Sequence, residues 1–151
     1  MAGGAANDPA AWDGTGLTAS GTEELFGATT TVASALRASA GFVVHDNGYS
    51  GAASDCLVDL RAHRTLANQF DFADYSNVVR CGQMPVERGT TFSVALGYGS
   101  DVQGAAAAAE GPLASGFGNL ERAYRRGWEE YAGSLKAAPG SVAGDERQRR
   151  A

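Results

Sequence analysis

The chain has 151 residues, 44% of them hydrophobic and 19% charged, with 21 glycines and a formal net charge of −5, and its pI is near 4.9. That length supports one ordinary core, and the composition fits a turn-rich globular protein better than a disordered tail or a membrane protein. The acidic balance excludes a nucleic-acid partner, because such affinity comes from clustered Lys and Arg, and the only basic cluster is Arg147, Arg149 and Arg150 at the very end.

No apolar run of about 18 residues and no basic-then-apolar leader occurs, so neither a membrane partner nor a signal peptide is expected, and the localisation stays unknown. Cys56 and Cys81 form no CxxC and have no His at zinc-ligand spacing, so no metal and no cofactor are expected. The two thiols could form one disulfide.

Met1 to Ala11 is rich in Ala, Gly and Asn and reads as a flexible start, with order beginning near Trp12. From there to about residue 100, short β-like runs separated by turn residues predict an antiparallel sandwich. Strands are expected at Ala40 to His45, Leu57 to Arg61, Asn68 to Phe72, Asn77 to Gln83 and Thr90 to Tyr98. Turns are expected at Asp46-Asn47-Gly48 and Glu87-Arg88-Gly89. In the last strand Phe92, Val94, Leu96 and Tyr98 alternate with Thr91, Ser93, Ala95 and Gly97, which predicts a core face made of the bulky set.

After Ser100 the pattern turns helical. Ser100 or Asp101 can cap a short alanine-rich helix to Glu110, ended by Gly111-Pro112 and forming a linker over residues 101–112. A longer helix follows from Leu113 to Lys136, with Leu113, Phe117, Leu120, Tyr124, Trp128, Tyr131 and Leu135 on one stripe and Pro139-Gly140 as its stop. Glu121 and Arg125 stand at i, i+4 and should pair. Burying each large apolar residue contributes about 1.5–3 kcal/mol, so the stripe should have a partner surface of its own.

Several residues invite a functional reading. His45-Asp46 resembles half of a general-base pair, but no nucleophile or third orienting group accompanies it, so no catalytic residue is assigned. Asp55, Asp59, Asp71 and Asp74 lack the spacing and glycine of an EF-hand loop, which leaves solvated loop acids and no metal site. Trp12, Tyr49, Tyr75 and Tyr98 are side chains on which a sugar could stack, although packing is the commoner fate, and at helical spacing Trp128 and Tyr131 are read as packing residues; no substrate-binding residue is assigned.

The runs Gly41-Phe42-Val43, Asn47-Gly48-Tyr49-Ser50-Gly51, Ser54-Asp55, Asp59-Leu60, Asn77-Val78-Val79 and Phe92 to Gly99 resemble the N-terminal domain of bacterial glucodextranases and glucoamylases of glycoside hydrolase family 15. Gly116-Phe117, Tyr124, Gly127-Trp128, Tyr131, Leu135 and Pro139 are similar to the segment leading into that family's catalytic barrel. The resemblance implies a mainly β fold. It would be a partial antiparallel super-β-sandwich over residues 12–100, then one short and one long helix, with residues 113–151 holding the first helix of an (α/α)6 barrel and a truncated tail.

It also implies an enzyme family that hydrolyses α-glucosidic bonds with inversion, through two barrel carboxyl groups separated by roughly 6.5–9.5 Å. No position here matches the motifs that carry those glutamates, so the chain is expected to be a non-catalytic fragment, inactive alone, whose partner is the absent (α/α)6 domain. An autonomous carbohydrate-binding module holding an α-glucan is the alternative. Family members are usually secreted.

Overall fold

A computed structural model describes residues 8–25 and 27–136. Its strands are β1 Asp8–Trp12, β2 Leu17–Leu25, β3 Ala28–Ala38, β4 Val44–Tyr49, β5 Phe72–Ser76, β6 Val78–Gln83 and β7 Val94–Gly99. The helices are α1 Cys56–His63, α2 Val102–Ser115 and α3 Phe117–Ser134. The chain divides into two units, residues 1–117 and 118–151, which are described separately below.

In the first unit five strands pair in the order β5-β1-β2-β3-β7, and β4 pairs with β6 in a second sheet. All the pairings are antiparallel. Residues opposite one another across antiparallel strands share a face, so the register sorts the large sheet into two sides. One side carries the row Trp12, Leu17, Leu36, Leu96 and the row Ala73, Ala10, Ala19, Ser34, Tyr98. The other carries Phe72, Ala11, Thr18, Ala35, Gly97 and, beside them, Ser20, Ala33, Gly99.

Helix α2 covers the second side. Ala33, Ala35 and Ala105 form a fully buried cluster, with Val102 and Ala106 packed against it. The helix comes this close because β7 presents glycine: a Cβ on Gly97 would collide with the backbone of Ala105, Ala108 and Ala109, and one on Gly99 with that of Gly104 and Ala105. The expected core face of β7 is therefore corrected. Val94, Leu96 and Tyr98 are exposed, and the buried side is the small one, because an alanine helix can approach a sheet closely only where no side chains intervene.

The small sheet covers the first side. Arg80 of β6 reaches across the interior and donates through Nη1 to the carbonyls of Leu17 (3.4 Å) and Ser34 (3.1 Å), and through Nη2 to Ser34 Oγ (2.5 Å). Asn47 stands opposite Arg80 in the β4–β6 register, so it shares that inward face. Asp46 and Cys81, the next pair along, face the other way, where Cys81 is joined to Cys56 of α1 by a disulfide.

Other expectations also change. Leu57–Arg61 lies in α1 and is not a strand: Asp55 caps the helix by accepting Leu57 N–H, and Arg64 ends it at φ 63. Asp46-Asn47-Gly48 is interior strand, with Asp46 and Asn47 buried. Strand β4 begins later than Ala40, and most of Asn68–Phe72 precedes β5. Order is already present at Asp8, so part of the expected flexible start is strand. Met1 to Asn7, Pro139-Gly140 and the terminal arginines lie outside the described residues.

The β2–β3 hairpin, which no large-residue alternation announces, is the longest pairing, running from Leu17↔Leu36 to Leu25↔Ala28. Asn77–Gln83 corresponds to β6, and the Glu87-Arg88-Gly89 turn closes with Thr90 N–H donating to Glu87 O at 3.1 Å.

Helix α2 is capped by Asp101, whose Oδ1 accepts Gly104 N–H at 2.7 Å. It runs past Gly111-Pro112 to Ser115 and stops at Gly116, φ 78. Proline in the last turn removes a single intrahelical hydrogen bond and is tolerated there, so the break falls at the glycine.

Among the described residues of the second unit, α3 is the element present, beyond its first residue. The helix starts at Phe117, not at Leu113, and none of its residues is buried. From Phe117 on the stripe forms, but Leu113 lies in α2 and is not part of it: Tyr124 and Trp128 meet edge to face at 6.1 Å, and Trp128 and Tyr131 at 5.7 Å. Arg125 and Glu121 pair at 2.7 Å.

Candidate functional site

Three of the singled-out residues, Trp12, His45 and Asp71, come together at the end of the sandwich where β1 meets β4. The His45 ring lies flat on Trp12, with centroids 4.4 Å apart and planes 5° from parallel, and Phe42 closes edge-on at 6.3 Å. His45 Nε2 contacts Asp71 Oδ1 at 2.5 Å. The partner of His45 is thus Asp71, across the fold, and not its neighbour Asp46. An imidazole bonded to a carboxylate has the form of an oriented base, but the face of its ring is occupied by Trp12. No Ser, Cys or Thr hydroxyl or thiol is bonded to it among the described residues.

Asp46 does structural work. Its Oδ1 accepts Phe70 N–H at 3.1 Å, while Asn47 uses its Nδ2 to bond the carbonyls of Phe70 and Asp71 at 3.0 and 3.1 Å. Together they hold the segment before β5 against β4. The remaining oxygens, Asp46 Oδ2 and Asn47 Oδ1, are buried without a protein partner.

The other acids organise backbone. Asp55 receives N–H bonds from Gly51 (2.8 Å) and Leu57 (2.8 Å), which hold its carboxyl below the usual range against some desolvation. Asp59, buried, is held low first by the Asn68 N–H; burial opposes the shift, and His63 and Ala67 N–H reinforce it. Among the described residues no group of three or more His, Cys, Asp or Glu side chains is placed to hold a metal ion.

The aromatic candidates separate. Trp12 packs between the sheets, and the Tyr49 hydroxyl accepts Asp74 N–H at 3.3 Å. Tyr98 is exposed on β7, and the side chain of Tyr75 lies outside the described ones. A feature that sequence reasoning missed is Arg37, 4% exposed, which bonds Asp13 Oδ2 through Nη2 at 2.5 Å and Glu110 Oε1 through Nε at 3.0 Å. It ties the β1–β2 turn to α2. The alternation of β3 could have placed Arg37 on the helix side, had β3 been recognised as a strand.

Two antiparallel sheets packed through an arginine staple, with a helix on the outer face of the larger one, define a mainly β sandwich domain. This chain belongs to the glucodextranase domain N family, whose profile matches residues 1–133. No curated protein matches it. Its fold is similar to that in the crystal structure of a bacterial glucoamylase complexed with acarbose, with a TM-score of 0.67 and 19% sequence identity over 87% of this chain. The chain spans 18% of the length of that glucoamylase chain. Among the described residues no helix is long and apolar enough to cross a membrane.

Proposed function

We propose that this chain is the non-catalytic supporting module of an α-glucan-hydrolysing enzyme of the glucoamylase or glucodextranase type, a sandwich that packs against and positions an (α/α)6 catalytic domain. The observation that carries this reading is the family membership of residues 1–133, taken with the small share of the matched glucoamylase that the chain spans. The engagement of Asp13, Asp55, Asp59 and Asp71 in backbone caps and ion pairs supports it, since an inverting hydrolase needs two carboxyl groups facing a substrate. The stripe of α3, with Tyr124, Trp128 and Tyr131 more than half exposed, is the surface suited to the catalytic domain.

The experiment is to incubate the purified chain with maltooligosaccharides and with dextran. No glucose release is expected, and release that persists through repurification and disappears in His45→Ala would overturn the non-catalytic reading. The rival reading, an autonomous carbohydrate-binding module, requires a saturable tryptophan-fluorescence change with oligosaccharide that is lost in Tyr49→Ala or Trp12→Ala. Trp12 is already stacked on His45, so no change from that ring is expected.

A further inference from the structure

Arg80 carries its charge into the sandwich without a matching one. The acceptors it meets, the carbonyls of Leu17 and Ser34 and the hydroxyl of Ser34, are all neutral. Among the described residues no carboxylate pairs with it. Asn47, which stands opposite on the same inward face, brings an amide and no charge. Arg37, by contrast, is held between Asp13 and Glu110. Burial lowers the pKa of Arg80 below its usual value, and the Tyr98 phenol acts in the opposite sense. A cation withdrawn from water is costly unless an opposite charge accompanies it.

The donors left over are specific ones. Nη1 donates both hydrogens to the Leu17 and Ser34 carbonyls, and Nη2 donates one to Ser34 Oγ. Nε–H and the second Nη2 hydrogen remain, and they lie along one edge of the planar guanidinium, at the spacing of the two oxygens of a carboxylate. Solvent reaches this residue, because Arg80 is only partly buried. Ser34, to which it bonds, stands opposite Tyr98 in the β3–β7 register, where the cover of the large sheet thins and Tyr98 is 55% exposed. We infer that the free edge of the Arg80 guanidinium, beside Tyr98 at the open side of the sandwich, is a binding site for a carboxylate monoanion.

Charge and shape select the monoanion. One negative charge balances the guanidinium and leaves the site neutral, whereas a doubly charged sulfate or phosphate would bring an excess charge to a partly desolvated place. The Tyr98 ring and Leu96, exposed on the same face of β7, suit the carbon body of such an acid. The formal net charge of −5 disfavours unspecific anion binding, so saturation at this one guanidinium is diagnostic. Two sources share the chemistry: an acidic side chain of another protein segment and the carboxylate of an acid sugar.

The test is a proton–nitrogen nuclear magnetic resonance titration of the whole chain with sodium acetate, with ionic strength held constant by sodium chloride. The Arg80 Nε–H resonance is expected to shift saturably together with the Tyr98 amide, and sodium sulfate should need at least about tenfold more for the same shift. Arg80→Lys keeps the charge but loses the fork, and should weaken acetate binding, read at the Tyr98 amide, about tenfold or more. Tyr98→Phe, at an exposed position, serves should that variant fold poorly, and is expected to weaken binding about threefold. Sodium glucuronate and N-acetylglutamate amide separate the sources: tighter binding of the first marks an acid sugar, of the second a protein side chain, and equal affinity the carboxylate alone. An Arg80 resonance that ignores acetate or moves as far with sulfate, or acetate binding undiminished in Arg80→Lys, overturns the proposal and leaves the supporting-module reading untouched.

Discussion

Gly97 of β7 and Ala105 of α2 meet backbone against backbone, at a separation that leaves no room for a single methyl group between them. Gly97→Ala should therefore push the helix off the sheet and destabilise the domain by about 1–3 kcal/mol, the usual cost of overpacking a close contact. Urea denaturation followed by circular dichroism measures this. Gly127→Ala on α3, where an added methyl meets nothing within 4 Å, is the control and should be neutral or slightly stabilising.

The Arg80 staple predicts a different kind of loss. Arg80→Met keeps the length and apolar stem but leaves the Leu17 and Ser34 carbonyls and Ser34 Oγ without their donor. Hydrogen bonds to a charged group contribute about 1.5–3 kcal/mol each, less what solvent can replace. A drop of at least about 2 kcal/mol in unfolding free energy is expected from denaturant titration. Loss below the error of that titration would show that the two sheets are held by other contacts.

The Cys56–Cys81 bond closes a loop of 25 residues in sequence separation. Loop-closure entropy of that size corresponds to roughly 3–4 kcal/mol of stabilisation, through restriction of the unfolded chain. Reduction with dithiothreitol, or Cys56→Ala with Cys81→Ala, should lower the thermal midpoint by ten degrees or more (on the order of the shift such a loss causes in a domain this size).

Acid should loosen the turn that Arg37 holds. Burial pushes the Asp13 carboxyl up, but the N–H bonds from Thr15 and Gly16 and the Arg37 guanidinium outweigh it and hold the group below its ordinary 3.8. A carboxyl whose folded pKa is depressed contributes stability that is complete above the unfolded value and is lost as pH falls through the folded one. Stability measured from pH 6 down to 2 should decline below about pH 4, with a shallower decline in Asp13→Asn. Identical slopes in the two proteins would refute the assignment.

Sequence and structure agree where the spacing of large residues alone decides the element, even though those residues are exposed. The α3 stripe is large, regular and spaced by threes and fours, and it forms with the Glu121–Arg125 pair in place. They part where size and burial are uncoupled. In β7 the bulky residues lie on the side of the small sheet but beyond its cover, and the glycines lie under α2, so alternation located the strand without showing which of its sides is buried. The β2–β3 hairpin is built from Thr, Ser, Ala and Gly, which carry little periodic hydrophobic signal, although it is the longest pairing in the fold.

Helix α1 shows Leu57, Val58 and Leu60 at its surface, a run that reads locally as strand; the deciding signal was the capping carboxylate of Asp55. At the candidate site, His45 was visible in the sequence, but its partner Asp71 was not. Only the packing of residues 70–72 beside β4 brings them together. Arg37 and Arg80 were passed over because a basic residue in an acidic chain reads as surface, whereas both are desolvated and matched to oxygen acceptors.

The buried set is dominated by Ala10, Ala19, Ala33, Ala35, Ala73, Ala105 and Ala109, alongside Ser34, Asn47 and Arg37. Unfolding such an interior wets modest hydrocarbon area and a good deal of polar surface, and the two contribute to heat capacity with opposite sign. The stability curve of this domain should accordingly be broad and shallow in temperature, with cooling costing it little.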